Sequence, residues 1–276
     1  MNYNDFWILL TACLVSLCCV IPGCFLVLRK MSMLGDAISH AVLPGLVIAY
    51  LISGSKAGPI LLTGAAVTGI LVAVAIEFIH KKFRMPQDAS IGITYTFLFA
   101  VGVILISRYA GQVDLDQECV LYGEIAYVPF DLYGEIPRQV LISGALFVIL
   151  LSTLLMGYRG LKLTTFDPAY ASSIGISVLF WHYLIMGMVS ITTVISFESV
   201  GAVLVIALLV GPAATASLFA TKLNQMILIS GFIGVLTSIG GYTLATFLNA
   251  SIAGCIAVVT GIAFLTGVVI KKYLIR

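Results

Sequence analysis

Asp36 and His40 stand four residues apart in the run Met33-Leu34-Gly35-Asp36-Ala37-Ile38-Ser39-His40-Ala41-Val42-Leu43-Pro44-Gly45-Leu46. On a helix this spacing sets both side chains on one face, about one turn apart. The residues around them are apolar, so the pair lies at the mouth of a hydrophobic segment. Ionisable groups in such a segment are costly and mark functional sites. A hard carboxylate oxygen beside a borderline imidazole nitrogen suits a divalent transition metal such as Mn, Fe or Zn. The competing reading is that Asp36 caps the segment and His40 packs at the membrane interface.

Asp167-Pro168 is a helix start of a different kind. Asp is a preferred N-cap, and Pro is tolerated at the first helical position. The helix expected at 169–174 is only about two turns long and cannot cross a bilayer. It is either a docking element or a connector.

The remaining ionisable residues read as structural. Glu77 and Lys81, four apart with Glu first, form a pair at the membrane edge. His80 is interfacial. His182 follows Trp181 and is expected to belong to the aromatic belt. Asp88 is expected to cap the fourth span, and Glu198 to be a loop acid. Cys13, Cys18, Cys19, Cys24 and Cys255 fall in apolar runs, where a thiol packs as a small apolar group. The sequence has no GxSxG, HExxH or Walker A motif, so it binds no ATP by a P-loop.

The elements that must position these groups follow from composition. The 276 residues are 61% hydrophobic and 9% charged, with a mean hydropathy of +1.15. Soluble domains carry about 25% charged residues. The chain is therefore a polytopic helical membrane protein, a single domain over residues 1–276. The net charge of +2 gives no reason to expect a nucleic-acid partner. Met1 to Phe6 has no Lys or Arg, so the first apolar run is read as a retained span, not a signal peptide.

Nine spans are expected, at about 6–28, 37–53, 59–79, 91–108, 138–157, 177–196, 200–220, 226–248 and 252–270. Pro44-Gly45 should bend or break the second, and Gly211-Pro212 the seventh. Arg29-Lys30, Lys81-Lys82, Arg84, Arg159, Lys162, Lys222, Lys271-Lys272 and Arg276 fall on one side. Asp5, Glu198 and the acids Asp114, Asp116, Glu118, Glu124, Asp131 and Glu135 fall on the other. Lys56, Arg108 and Arg138 go against this sorting without reversing it. The positive-inside rule then puts the N-terminus outside and the C-terminus inside. The long outer segment 109–137 is expected to hold short interfacial helices.

The chain resembles the membrane permeases of manganese/zinc/iron ABC importers. The resemblance is carried by the run from Leu26 to Gly45, by Gln87-Asp88-Ala89-Ser90-Ile91-Gly92-Ile93 and by Leu121-Tyr122-Gly123-Glu124-Ile125. It continues in Phe166-Asp167-Pro168-Ala169 and in the run from Val200 to Ala216. It implies a fold like the type II importers of the cobalamin kind, in the cell membrane. It also implies a second permease subunit (identical or paralogous), a cytoplasmic ATPase and an extracytoplasmic metal-binding protein. In the family pattern Asp36 and His40 match the metal pair, and Phe166, Asp167 and Pro168 match the segment that meets the ATPase. The metal is then a transported substrate, with no permanently bound cofactor and no catalysis by this subunit. The rival readings are a secondary cation transporter or channel, and a permease for siderophores or cobalamin.

Overall fold

Apolar runs in lipid must satisfy every backbone N–H and C=O internally, and helices do so within one segment. The computed structural model describes residues 3–53, 59–109, 125–134 and 136–274. Its helices are α1 (Tyr3–Leu28), α2 (Leu34–Ala41), α3 (Leu43–Ser53), α4 (Pro59–Phe83) and α5 (Gln87–Tyr109). They continue with α6 (Arg138–Phe166), α7 (Pro168–Ser173), α8 (Val178–Val200), α9 (Ala202–Ser217), α10 (Leu223–Leu248) and α11 (Ile252–Leu274). Among the described residues, eight segments are long and apolar enough to cross a membrane, with α2 and α3 together making one of them.

The expected seventh span differs from the other eight. α9 has 16 residues, so it is about 24 Å long, short of a hydrocarbon core of about 30 Å. It need not meet lipid along its length, because Leu204, Val205, Leu208 and Leu209 are fully buried. Nor does the expected break appear at Gly211-Pro212. The helix runs through Pro212, which is buried.

α1 is the central post, packed against α6, α8, α9 and α10. Small residues let it sit close to its neighbours. A Cβ on Gly23 would lie 2.0 Å from the carbonyl oxygen of Leu209, so the backbones of α1 and α9 touch there. α10 runs antiparallel to α1. Cys24 donates to Ser230 Oγ at 3.4 Å, and Ser238 donates to the Ala12 carbonyl at 3.5 Å. The described cysteines are all free thiols.

Within 109–137 the described part is a 3-10 helix (Ile125–Phe130) and a small hairpin, β1 (Leu132–Tyr133) with β2 (Ile136–Pro137). Its register pairs Leu132 with Pro137 and Tyr133 with Ile136. The 3-10 helix packs on α1, α8 and α11. The acids Asp114, Asp116, Glu118, Glu124 and Glu135, Lys56, and the Leu121 to Glu124 block lie outside the described residues.

α5 begins at Gln87, so Asp88 sits in its first turn and does not cap it; the Ser90 amide bonds the Pro86 carbonyl instead.

Candidate functional site: an Asp–His pair and a buried ionic cluster

The turn that delivers Asp36 and His40 starts at the end of α1. Lys30 has φ +58, the Met31 amide bonds the Leu26 carbonyl, and the Lys30 amide bonds the Val27 carbonyl. This double closure is a Schellman motif, which ends a helix sharply. The Leu34 amide then bonds the Met31 carbonyl, and α2 begins, with both of these side chains buried. The N-cap of α2 is Met33, which offers no side-chain cap. Asp36 is therefore the third helical residue and not the cap. A carboxylate in the first turn is favoured by the helix dipole.

α2 ends where Pro44 begins to act. Pro44 has no N–H, so the His40 carbonyl, four residues earlier, loses its helical donor. The amides of Gly45 and Leu46 converge instead on the Val42 carbonyl. The expected break in the second span is thus present, at Val42 between α2 and α3. It is locked by a close crossing. A Cβ on Gly45 would lie 1.7 Å from Thr68 Oγ1 and 2.7 Å from the Gly64 carbonyl oxygen on α4.

His40 Nε2 lies 3.6 Å from Asp36 Oδ1. That is too long for a hydrogen bond. It is the right span for an ion between them: metal–ligand bonds of about 2.1 Å give an angle of about 120° at the metal. The His40 ring is steadied by α5, with Phe99 edge-on at 5.9 Å and Tyr95 tilted at 6.3 Å between centroids. Both side chains keep an open side, 34% exposed for Asp36 and 39% for His40. Among the described residues, no third His, Cys, Asp or Glu gathers with them. Among the described residues the pair therefore stands alone.

The Asp167 reading matches the geometry. Asp167 Oδ1 accepts from the Tyr170 amide at 2.9 Å, and Pro168 opens α7. The Asp167 amide also bonds the Leu163 carbonyl, so this residue closes α6 and opens α7 at once. Phe166, Tyr170 and Ile174 are all exposed, an apolar edge beside the cap.

One arrangement is not visible in the sequence. His182 is no belt residue. Its Nε2 meets Glu77 Oε2 at 2.8 Å, and its Nδ1 meets Arg29 Nη1 at 3.0 Å. An arginine only donates, so Nδ1 must accept, and the proton of the ring sits on Nε2 and is donated to Glu77. Lys81 Nζ joins Glu77 Oε1 at 2.7 Å, confirming the expected pair as part of a larger cluster. On its other side Arg29 donates to the hydroxyls of Thr164 and Thr165, each at 3.2 Å. The signal in the sequence was that Arg29, Glu77 and His182 all fall at span ends on the positive side. Only the packing of α1, α4, α6 and α8 shows that these ends converge.

Comparison with known proteins agrees with this architecture. Residues 2–271 match the ABC 3 transport family. The manganese transport system membrane protein MntD of Bacillus subtilis is 44% identical, over 96% of this chain and 94% of its own length. The zinc transport system membrane protein TroD of Treponema pallidum is 39% identical, over 93% of this chain and 71% of its own. The solved structure of PsaBC from Streptococcus pneumoniae in complex with Fab superposes with a TM-score of 0.81 at 32% identity. That match covers 99% of this chain and 95% of the other.

Proposed function

This chain belongs to the ABC 3 transport family, and from that premise we propose that Asp36 and His40 hold a divalent transition metal in transit through the membrane. It is a multi-pass permease subunit of the cell membrane, of the kind that serves import of manganese, zinc or iron. The observation that carries the metal reading is the Asp36–His40 pair itself. Its two donor atoms are 3.6 Å apart on an open face, in a helix that neither residue caps.

The sequence carries no Walker A motif, so a separate ATPase on the positive side supplies the work. The exposed edge of Phe166, Tyr170 and Ile174, stiffened by Asp167 and Pro168, is where that subunit docks. An extracytoplasmic binding protein delivers the ion at the opposite end, near the 3-10 helix. Two ligands are fewer than the four to six these metals take. Water, backbone oxygens freed near Pro44, or the same face of a second permease subunit complete the shell. The second subunit is an identical copy or a paralogue. The whole chain works as one transmembrane domain, with the N-terminus outside and the C-terminus inside.

Metal accumulation by cells expressing the whole transporter tests this reading, with Mn, Zn and Fe compared. Asp36→Asn and His40→Ala should each abolish uptake while the permease still co-purifies with its ATPase. Uptake at the parent rate in either variant would overturn the coordination role.

A further inference from the structure

We infer that Arg29 and His182 are positioning residues that fasten the ATPase-facing end of α6 to the turn bearing the metal pair. They carry movement of the docking segment to α2. The inference rests on the docking role proposed for Phe166, Asp167 and Pro168.

The connection is continuous in space. Thr165 is followed directly by Phe166, and its hydroxyl accepts from Arg29 Nε and Nη2. Thr164 accepts from the same Nη2 and is itself tied to the α6 backbone, at the Gly160 carbonyl. Arg29 closes α1, its own amide bonding the Phe25 carbonyl. From there the Schellman turn leads into α2 with no slack, because Met31 and Leu34 are packed in the core. A displacement of Thr165 thus displaces the guanidinium, and the guanidinium is built onto the base of the helix that carries Asp36 and His40.

The cluster fixes the guanidinium from the other side as well. His182 accepts on Nδ1 and donates from Nε2 to Glu77, so it works as a neutral spacer between cation and carboxylate. Glu77 and His182 side chains are 6% and 15% exposed, whereas Lys81 is 58% exposed and keeps its charge largely in water. Buried ionic groups are poor stabilisers compared with apolar residues of the same size. Their gain is directional. The five donors of a planar guanidinium hold several partners in one arrangement, which an apolar contact cannot do. Four helices, α1, α4, α6 and α8, are registered by this cluster, with α4 joined through His182.

The test uses the complete transporter, with ATPase and binding protein, in proteoliposomes. The cation is whichever of Mn2+, Zn2+ and Fe2+ the parent accumulates best. Thr164→Val with Thr165→Val removes both hydroxyls at constant shape and leaves the Glu77–His182–Arg29 chain intact. That variant should assemble and hydrolyse ATP near the parent rate, yet move about tenfold less metal per ATP. His182→Gln retains an acceptor for Arg29 and a donor for Glu77, so it should keep coupling close to the parent. His182→Phe, which retains neither, should lose it. Ala169→Cys cross-linking to the ATPase reads the docking role separately. No cross-link would sink that premise and the inference with it. A cross-link together with parent metal-per-ATP in the double valine variant would sink the inference alone. If His182→Phe fails to assemble, the valine pair and the glutamine variant still decide.

Discussion

Glu77 and His182 are 105 positions apart in the chain and meet at 2.8 Å. The carboxylate is buried, and it answers both an imidazole N–H and the Lys81 ammonium. Removing one partner of a buried ionic group costs about 3–5 kcal/mol, because the others are left uncompensated. Glu77→Ala is therefore expected to lower the thermal unfolding midpoint of the purified permease clearly. Glu77→Gln, which still accepts from His182, should cost about 1–3 kcal/mol, the loss of one charged hydrogen bond. Equal midpoints for Glu77→Ala and the parent would show that the cluster is not a structural tie.

Gly23 gives a test of the packing. A Cβ there would fall 2.0 Å from the Leu209 carbonyl oxygen, a backbone atom that cannot swing away. Gly23→Ala should separate α1 from α9 and cut the yield of folded protein sharply. Gly144 in α6 has open space around it. Gly144→Ala should be neutral, or stabilising by about 0.5–1 kcal/mol through helix propensity. Similar yields for the two variants, read by size-exclusion chromatography in detergent, would contradict the described crossing.

Much of this was legible in the sequence, for reasons that differ from residue to residue. The spans are legible because lipid demands long apolar helices. Asp167 is legible because a cap acts within one turn of the chain. The Asp36–His40 pair is legible because i and i+4 share a helix face. What stayed hidden depends on residues far apart. Nothing local to His182 says that its ring bridges Arg29 and Glu77. Nothing local to Gly211-Pro212 says that α9 runs on through Pro212 as one helix, and its short length is tolerated because other helices cover it. Asp88 misled because the helix begins two residues sooner, where Pro86 supplies the first acceptor.

Asp167 should be separable into its two roles. Loss of an N-cap of this type costs about 1 kcal/mol, far less than the whole fold. Asp167→Ala is expected to weaken co-purification of the ATPase while leaving the permease monodisperse. Asp167→Ser restores a side-chain acceptor for the Tyr170 amide and should recover most of the binding. Loss of binding in both variants would assign the effect to the carboxylate charge and not to the cap.

The two ends of the chain should face opposite sides of the membrane. Tyr3 is 66% exposed and Tyr273 is 71% exposed, so a cysteine at either place is open to reagent. In a background with the native cysteines replaced, an impermeant maleimide added to intact cells should label Tyr3→Cys and spare Tyr273→Cys. Labelling of both from outside would remove one crossing, and α9, with its 16 residues, would be the segment to give up.

The aromatic contacts of His40 predict a graded effect that a merely interfacial histidine would not show. Phe99 meets the imidazole edge-on at 5.9 Å and Tyr95 lies against it at 6.3 Å. These rings hold the imidazole near the orientation that leaves Nε2 3.6 Å from Asp36 Oδ1. Groups that orient a metal ligand without touching the ion typically change affinity by about 10–100-fold. A ring contact is weaker than the hydrogen bonds behind that range, so its lower end applies. Phe99→Ala is expected to raise the metal concentration for half-maximal uptake about tenfold, with the maximal rate changed little. Phe99→Tyr keeps the ring and should behave like the parent. Initial uptake rates measured across metal concentrations separate the two quantities. An unchanged half-saturation point in Phe99→Ala, alongside active transport, would mean that the ring of His40 does not orient a transported ion.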